Sequence, residues 1–224
     1  MARTAARVIA ASAVTLVVSQ LPALAKRPRR VPSGIEGVST LQDAVRVCRH
    51  TGLQGWELVE YARQVVRRKF VFYSTRNLWD TPARAFERGM GYCTQYNLSL
   101  KHVLQELDFH TEALSSARVR VAADPTWRMG HTWVRVVLNG ETRDVCAHHG
   151  MGPPGKAGFV AVAPVWHSAG PVLALAQLGM IPFCGVVEWA ALLRGRGEPG
   201  WTFHLMDEGP PPRRPGPAGG RLGP

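Results

Sequence analysis

The stretch HTWVRVVLNGETRDV, His131 to Val145, reads as two extended runs around Asn139-Gly140. That dipeptide favours a two-residue type I′ hairpin turn, because both central residues must take positive φ. The spacing predicts an antiparallel pair, with His131 opening the first strand and Asp144 on the returning one. In such a turn Leu138 pairs with Glu141, and counting back sets Asp144 opposite Arg135. His131 lies on the same face four positions away, about 13 Å along a strand rising about 3.4 Å per residue. Asp and His side chains do not bridge that gap. A bulge or shifted turn sliding the returning strand by about two residues would keep the face and bring Asp144 opposite Trp133.

Upstream of the hairpin, GMGYCTQYNLSLKHVLQEL begins at Gly89 and carries Cys93. Leu100, Val103, Leu104 and Leu107 recur at i, i+3, i+4 and i+7, which predicts a helix with one buried face and Cys93 at its amino end. Unpaired N–H groups and the positive end of the helix dipole favour a thiolate there. Cysteine is also a common small core residue, so position alone leaves two roles open, packed filler or nucleophile. Gly89 and Gly91 allow a sharp turn into the helix.

Further toward the amino terminus the signals are helical. Leu41, Ala44, Val45 and Cys48 share a face that ends near Thr51-Gly52, and Trp56, Val59, Ala62, Val66 and Phe70 share a longer one. Thr81-Pro82 is a helix start, with threonine as N-cap and proline at the first helical position. Phe70 to Tyr73 and Arg118 to Val121 read as short extended pieces. Beyond the hairpin, PVLALAQLGMIPFCGVVEWAALL carries one charge, Glu188. Gly179, Pro182 and Gly185 interrupt it, so two short buried helices or an amphipathic hairpin are expected there. Membrane contact through 171–193 is open but not favoured.

The first 25 residues place Arg3 and Arg7 before an apolar run and end in Ala23-Leu24-Ala25, the layout of a secretory signal peptide. Residues 26–36 read as a basic linker, 37–207 as the ordered domain, and 208–224 as a tail too rich in Pro and Gly to pack. This layout predicts a secreted or cell-envelope protein, the alternative being a cytoplasmic protein with an amino-terminal extension. The formal charge is +11, with 27 basic residues, of which only Lys26, Lys69, Lys101 and Lys156 are lysine. They are scattered and no nucleic-acid-binding signature accompanies them, so no specific nucleic-acid partner is expected. Cys48, Cys93, Cys146 and Cys184 lack a C-x-x-C and support neither a zinc site nor a disulfide framework. Disulfides among Cys48, Cys146 and Cys184 are optional. His148, His149 and Cys146 crowd together, but adjacent histidines on a strand point to opposite faces. No metal and no cofactor is expected.

A cysteine heading a helix, a histidine opening a later strand and an acid on the next strand follow the order Cys, His, Asp. Through GMGYCTQYNLSLKHVLQELDFHTEAL and GHTWVRVVLNGETRDVCA the chain resembles the transglutaminase-like superfamily, over about Trp79 to Ala147. The resemblance implies an α+β fold of papain-like plan, with the nucleophile helix packed on an antiparallel sheet. It implies a cysteine-dependent amide hydrolase or acyl transferase acting on peptide or glutamine amides of a peptide or protein substrate. Cys93 would be nucleophile, His131 general acid/base and Asp144 the orienting acid, with Trp79 or Gln95 as a further oxyanion donor. The family's acid usually stands about where this chain has Cys146. A thiol orients an imidazolium less well than a carboxylate, so the expectation is a slide that delivers Asp144, with Asp124 as the fallback partner. The alternative is a catalytically silent transglutaminase-like module that binds a peptide or scaffold.

Overall fold

The computed structural model describes residues 14, 18, 35–122, 130–148, 151–168, 170–196, 200 and 202–206. Its first helix in the continuous part, α1 (Leu41–Arg49), starts at a reciprocal cap. The Asp43 N–H donates to the Thr40 hydroxyl at 3.2 Å, and the Thr40 N–H donates to the Asp43 carboxylate at 2.9 Å. Leu41, Ala44, Val45 and Cys48 are its buried face, as their spacing predicts. Helix α2 (Gly55–Lys69) buries Val59, Ala62, Val65 and Val66 against it. The short strand β1 (Phe72–Ser74) follows.

Helix α3 (Pro82–Arg88) has Thr81 as N-cap, its hydroxyl accepting from the Arg84 N–H at 3.3 Å, and ends at Gly89, whose φ of 71° lies in the left-handed region. That reversal feeds β2 (Met90–Gly91), which runs parallel to β1 and hands the chain to α4 (Cys93–Glu106). At Gly91 a Cβ would sit 2.9 Å from both the Gln95 Oε1 and the Phe70 ring, so only glycine fits without displacing them.

Leu100, Val103 and Leu104 of α4 are fully buried. The helix packs on β3 (His110–Ser116) and β5 (His131–Leu138), and against α1, α2 and α3 on its other sides. The main sheet has the order β6-β5-β3-β8, with β6 (Glu141–Val145) and β8 (Val165–His167) at its margins, and every neighbouring pair is antiparallel. Asn139 and Gly140 take φ of 51° and 79°, as a type I′ turn requires. Two smaller ladders complete the fold: β4 (Val119–Val121) with β7 (Phe159–Ala161), and β9 (Phe203–Leu205) with β1. The chain is thus a mixed α+β protein built around one helix laid on an antiparallel sheet.

One expectation is corrected. The apolar stretch near the carboxyl end is one helix, α5 (Gly170–Leu193), with Pro182 inside it. Proline removes one helical hydrogen bond, but Ile181, Cys184, Glu188 and Ala191 repeat at helical spacing and are all buried. That continuous buried stripe offsets the lost bond. Among the described residues no helix is long and apolar enough to cross a membrane. The leader, linker and tail readings fall on residues outside those described, apart from Val14 and Val18, which are helical and exposed, and Ile35 and Glu36 at the end of the linker. The Trp189 indole N–H donates to the Val18 carbonyl at 2.9 Å.

Adding a methyl group at Gly91 is expected to cost about 1–3 kcal/mol, the usual penalty for overpacking a filled site. A denaturant titration of Gly91→Ala against the wild type measures it, and an unchanged midpoint would show that Gln95 and Phe70 yield freely.

Candidate active site

Cys93 is the first residue of α4, so its backbone N–H lies in the turn that has no helical carbonyl to bond. The entry is held by Gln95. Its Oε1 accepts from the Tyr92 N–H at 3.2 Å, and its Nε2 donates to the carbonyls of Asn77 and Asp80, each at 2.8 Å. Gln95 is therefore a bracket joining the helix start to the 77–80 loop, with its amide fully engaged. It is not an oxyanion donor. Trp79 projects into solvent, 56% exposed, and is not among the residues around Cys93.

A cavity of about 420 Å³ opens over Cys93. His131 and Thr132 from the start of β5 line it beside Cys93 and Thr94, with Ser115 of β3, Trp166 of β8, and Met180 and Phe183 of α5. The two sequence motifs, almost forty residues apart, thus meet in one concave site. A chain of buried hydroxyls ties the elements together. Thr94 and Thr132 hydroxyls lie 3.0 Å apart, Thr132 and Ser115 hydroxyls 2.7 Å apart, and Ser115 bonds Ser168.

His131 is buried between aromatic rings, edge-on to Phe159 at 4.9 Å and stacked at 6.4 Å on Trp133. Its Nε2 lies 3.2 Å from the Cys146 Sγ. That sulfur also accepts from the Asn97 side-chain amide and from the His148 backbone N–H, each at 3.4 Å. Asn97, one turn into α4 from Cys93, donates to the Thr132 carbonyl at 2.6 Å and accepts from the Ala147 N–H at 2.9 Å.

The expected slide of the returning strand does not occur. The register runs from Leu138↔Glu141 through Arg135↔Asp144 to Val134↔Val145 without a bulge. Asp144 is held by Arg135, whose Nε and Nη2 donate to its two oxygens at 2.8 and 3.1 Å. A bidentate guanidinium contact in an unbroken ladder outweighs any pull from an uncharged imidazole four positions away. The side chain at the acid's station is Cys146, one residue beyond the last pair. The same strand arithmetic could have found it, since it already placed Asp144 out of reach. Asn97 carries no motif, and only its position one turn after Cys93 could have marked it. Asp124 and His149 lie outside the described residues.

Cys93 and His131 are both pushed toward their neutral forms. Burial, and to a lesser extent nearby His148, lowers the His131 pKa from 6.5 to about 3. Burial raises the Cys93 pKa above the ordinary thiol value, partly offset by hydrogen bonds from Thr132 and Thr94. Cys146 is pushed up to about 11 by burial. The resting site is a thiol, a neutral imidazole and a second thiol. All four cysteines are free. Among the described residues no three His, Cys, Asp or Glu side chains converge to hold a metal ion. No family model matches the chain, and no curated protein matches it.

An imidazole that protonates near 6.5 when unfolded, but only near 3 when folded, gives stability that is complete above pH 6.5 and lost as the pH falls toward 3. The expected loss from this group is about 2–3 kcal/mol between pH 7 and pH 4.5. It is measured as the difference between the wild-type and His131→Gln denaturation profiles. Parallel profiles would contradict a buried neutral His131.

Proposed function

We propose that this chain is a cysteine-dependent amide hydrolase or acyl transferase of the transglutaminase-like type, with Cys93 as nucleophile and His131 as its base and acid. The observation that carries the reading is the shared cavity. A helix-heading thiol and a strand-opening imidazole from two separate motifs line the same concave surface. The motif resemblance and the helix-on-sheet arrangement support the papain-like plan. The substrate is a peptide or protein amide.

The neutral pair defines how the chemistry runs. With Nε2 turned to Cys146, Nδ1 is the ring nitrogen left to serve Cys93. As the sulfur attacks the carbonyl carbon, its proton passes to Nδ1 and the S–C bond forms. The backbone N–H of Cys93 faces the developing oxyanion, a contribution of about 3–4 kcal/mol per donor in other hydrolases. Collapse breaks the C–N bond, and the amine leaves with the proton from His131. Water or an acceptor amine then gives its proton to Nδ1, attacks the thioester and releases the Cys93 thiol.

Cys146 is the weak member of this arrangement. A carboxylate only accepts, and so fixes the proton on Nε2; a thiol can also donate, which permits the tautomer with Nδ1 blocked. That property is the specific observation favouring the second reading, a catalytically silent module of the same type. Three variants separate the readings. Cys93→Ala is expected to lower amide turnover at least about 10⁴-fold. Cys146→Asp is expected to raise it about 10-fold or more by fixing the tautomer, whereas Asp144→Asn leaves it close to wild type. The acidic limb of the rate profile should fall below pH 5, because His131 stays neutral down to about 3. A wild-type chain that never carries a trapped acyl group on Cys93 would leave the silent module.

A further inference from the structure

The cavity over Cys93 has an unusual composition for this protein. The chain carries a formal charge of +11, yet none of the described residues lining the cavity is an Asp, Glu, Lys or Arg. One wall is the hydroxyl row Thr94, Thr132 and Ser115. Those groups are bonded to one another and onward to Ser168, which commits most of their donor protons within the protein. Ser116, Ala117 and Gly130 continue that wall, and the large side chains around Cys93 and His131 are aromatic or thioether. Tyr73 and Tyr92 are buried at the base, Trp166 and Met180 are half-buried, and Phe183 stands at the rim with 54% of its surface exposed.

Such a site takes some groups and refuses others. A carboxylate or ammonium entering it leaves its hydration behind and meets no counter-charge on the described lining residues. A flat apolar side chain meets ring faces and edges, where aromatic pairs gain more than area burial alone. At about 420 Å³ the cavity is at the small end of ligand sites, the size for one large side chain and its flanking peptide groups. The acyl part of the substrate stays bonded to sulfur through the covalent intermediate, so it is the part that needs a cavity around the nucleophile.

We infer that the residue on the acyl side of the scissile amide is uncharged and apolar, and that a large aromatic side chain seated against Trp166 and Phe183 is its preferred form. This rests on the reading of Cys93 as a nucleophile. Phe183 is the specificity-determining position at the rim, since its ring is the exposed part of the wall and no described lining residue supplies charge.

The test uses the full chain and a series of peptidyl vinyl sulfones that differ only in the residue next to the electrophile: Phe, Leu, Ala, Asp and Lys. Labelling rates are followed by intact mass, with Cys93→Ala as control. Phe is expected to label fastest, Ala about 10- to 100-fold slower, and Asp and Lys about 100-fold slower or more. Phe183→Glu, a change at an exposed position, is expected to raise the Lys rate relative to the Phe rate at least about 10-fold. Labelling of Cys93 at equal rates by Phe, Asp and Lys probes overturns the specificity while leaving the nucleophile in place. An unchanged Lys-to-Phe ratio in Phe183→Glu overturns the role of the rim. Absence of labelling by every member overturns the nucleophile and the specificity together.

Discussion

The side chain of Asn97 holds the site in register. Its amide reaches the Thr132 carbonyl on β5 and the Cys146 sulfur, and its oxygen takes the Ala147 N–H just beyond β6. One buried residue on α4 thus locks that helix to both arms of the hairpin at the end where His131 stands. Each of those partners is itself buried. Removing the amide would strand a carbonyl and an N–H without water, at about 1–3 kcal/mol for each unsatisfied group. The helix could otherwise slide or roll on a sheet whose contacts are mostly Val and Leu, because apolar packing is non-directional. Hydrogen bonds of fixed geometry give the interface its single alignment.

Gln95 does the same at the other side of Cys93, joining Tyr92 to the 77–80 loop. The helix start that carries the thiol is therefore set by two amides, and neither retains a donor for a substrate. Burial explains the electrostatics, since it disfavours the charged form of both the imidazole and the thiol. The helix dipole, which by itself would lower the Cys93 pKa, is outweighed by loss of hydration. Arg63, the nearest buried guanidinium on this side, is turned to the Cys146 and Met151 carbonyls and to Glu60, so it does not restore a charge to the pair.

The margin of the sheet shows how a local ion pair and a ladder decide a site's chemistry. Arg135 and Asp144 sit opposite each other and close a bidentate contact. That contact lies partly in solvent, where such pairs contribute little to stability. Its consequence is positional: the nearest carboxylate of the hairpin is retained away from His131, and a thiol stands beside the imidazole instead.

Local physics made much of this legible from the residues alone. Asn139-Gly140 determined the turn, because only residues tolerant of positive φ fit it, and the turn determined the pairing of Val134–Leu138 with Glu141–Val145. The Thr81-Pro82 start, the Gly89 reversal and the buried face of Leu100, Val103 and Leu104 follow from capping and period in the same way. What the sequence could not carry was anything set by two distant segments meeting. That Cys146 rather than an acid faces His131, that Asn97 and Gln95 are spent as brackets, and that α5 runs unbroken through Pro182 all depend on burial and partners supplied by the fold. A proline reads as a breaker and Asp144 as the partner of His131 when judged one residue at a time. Tertiary packing decides otherwise, because a continuous buried stripe and an unbroken ladder each override the local preference.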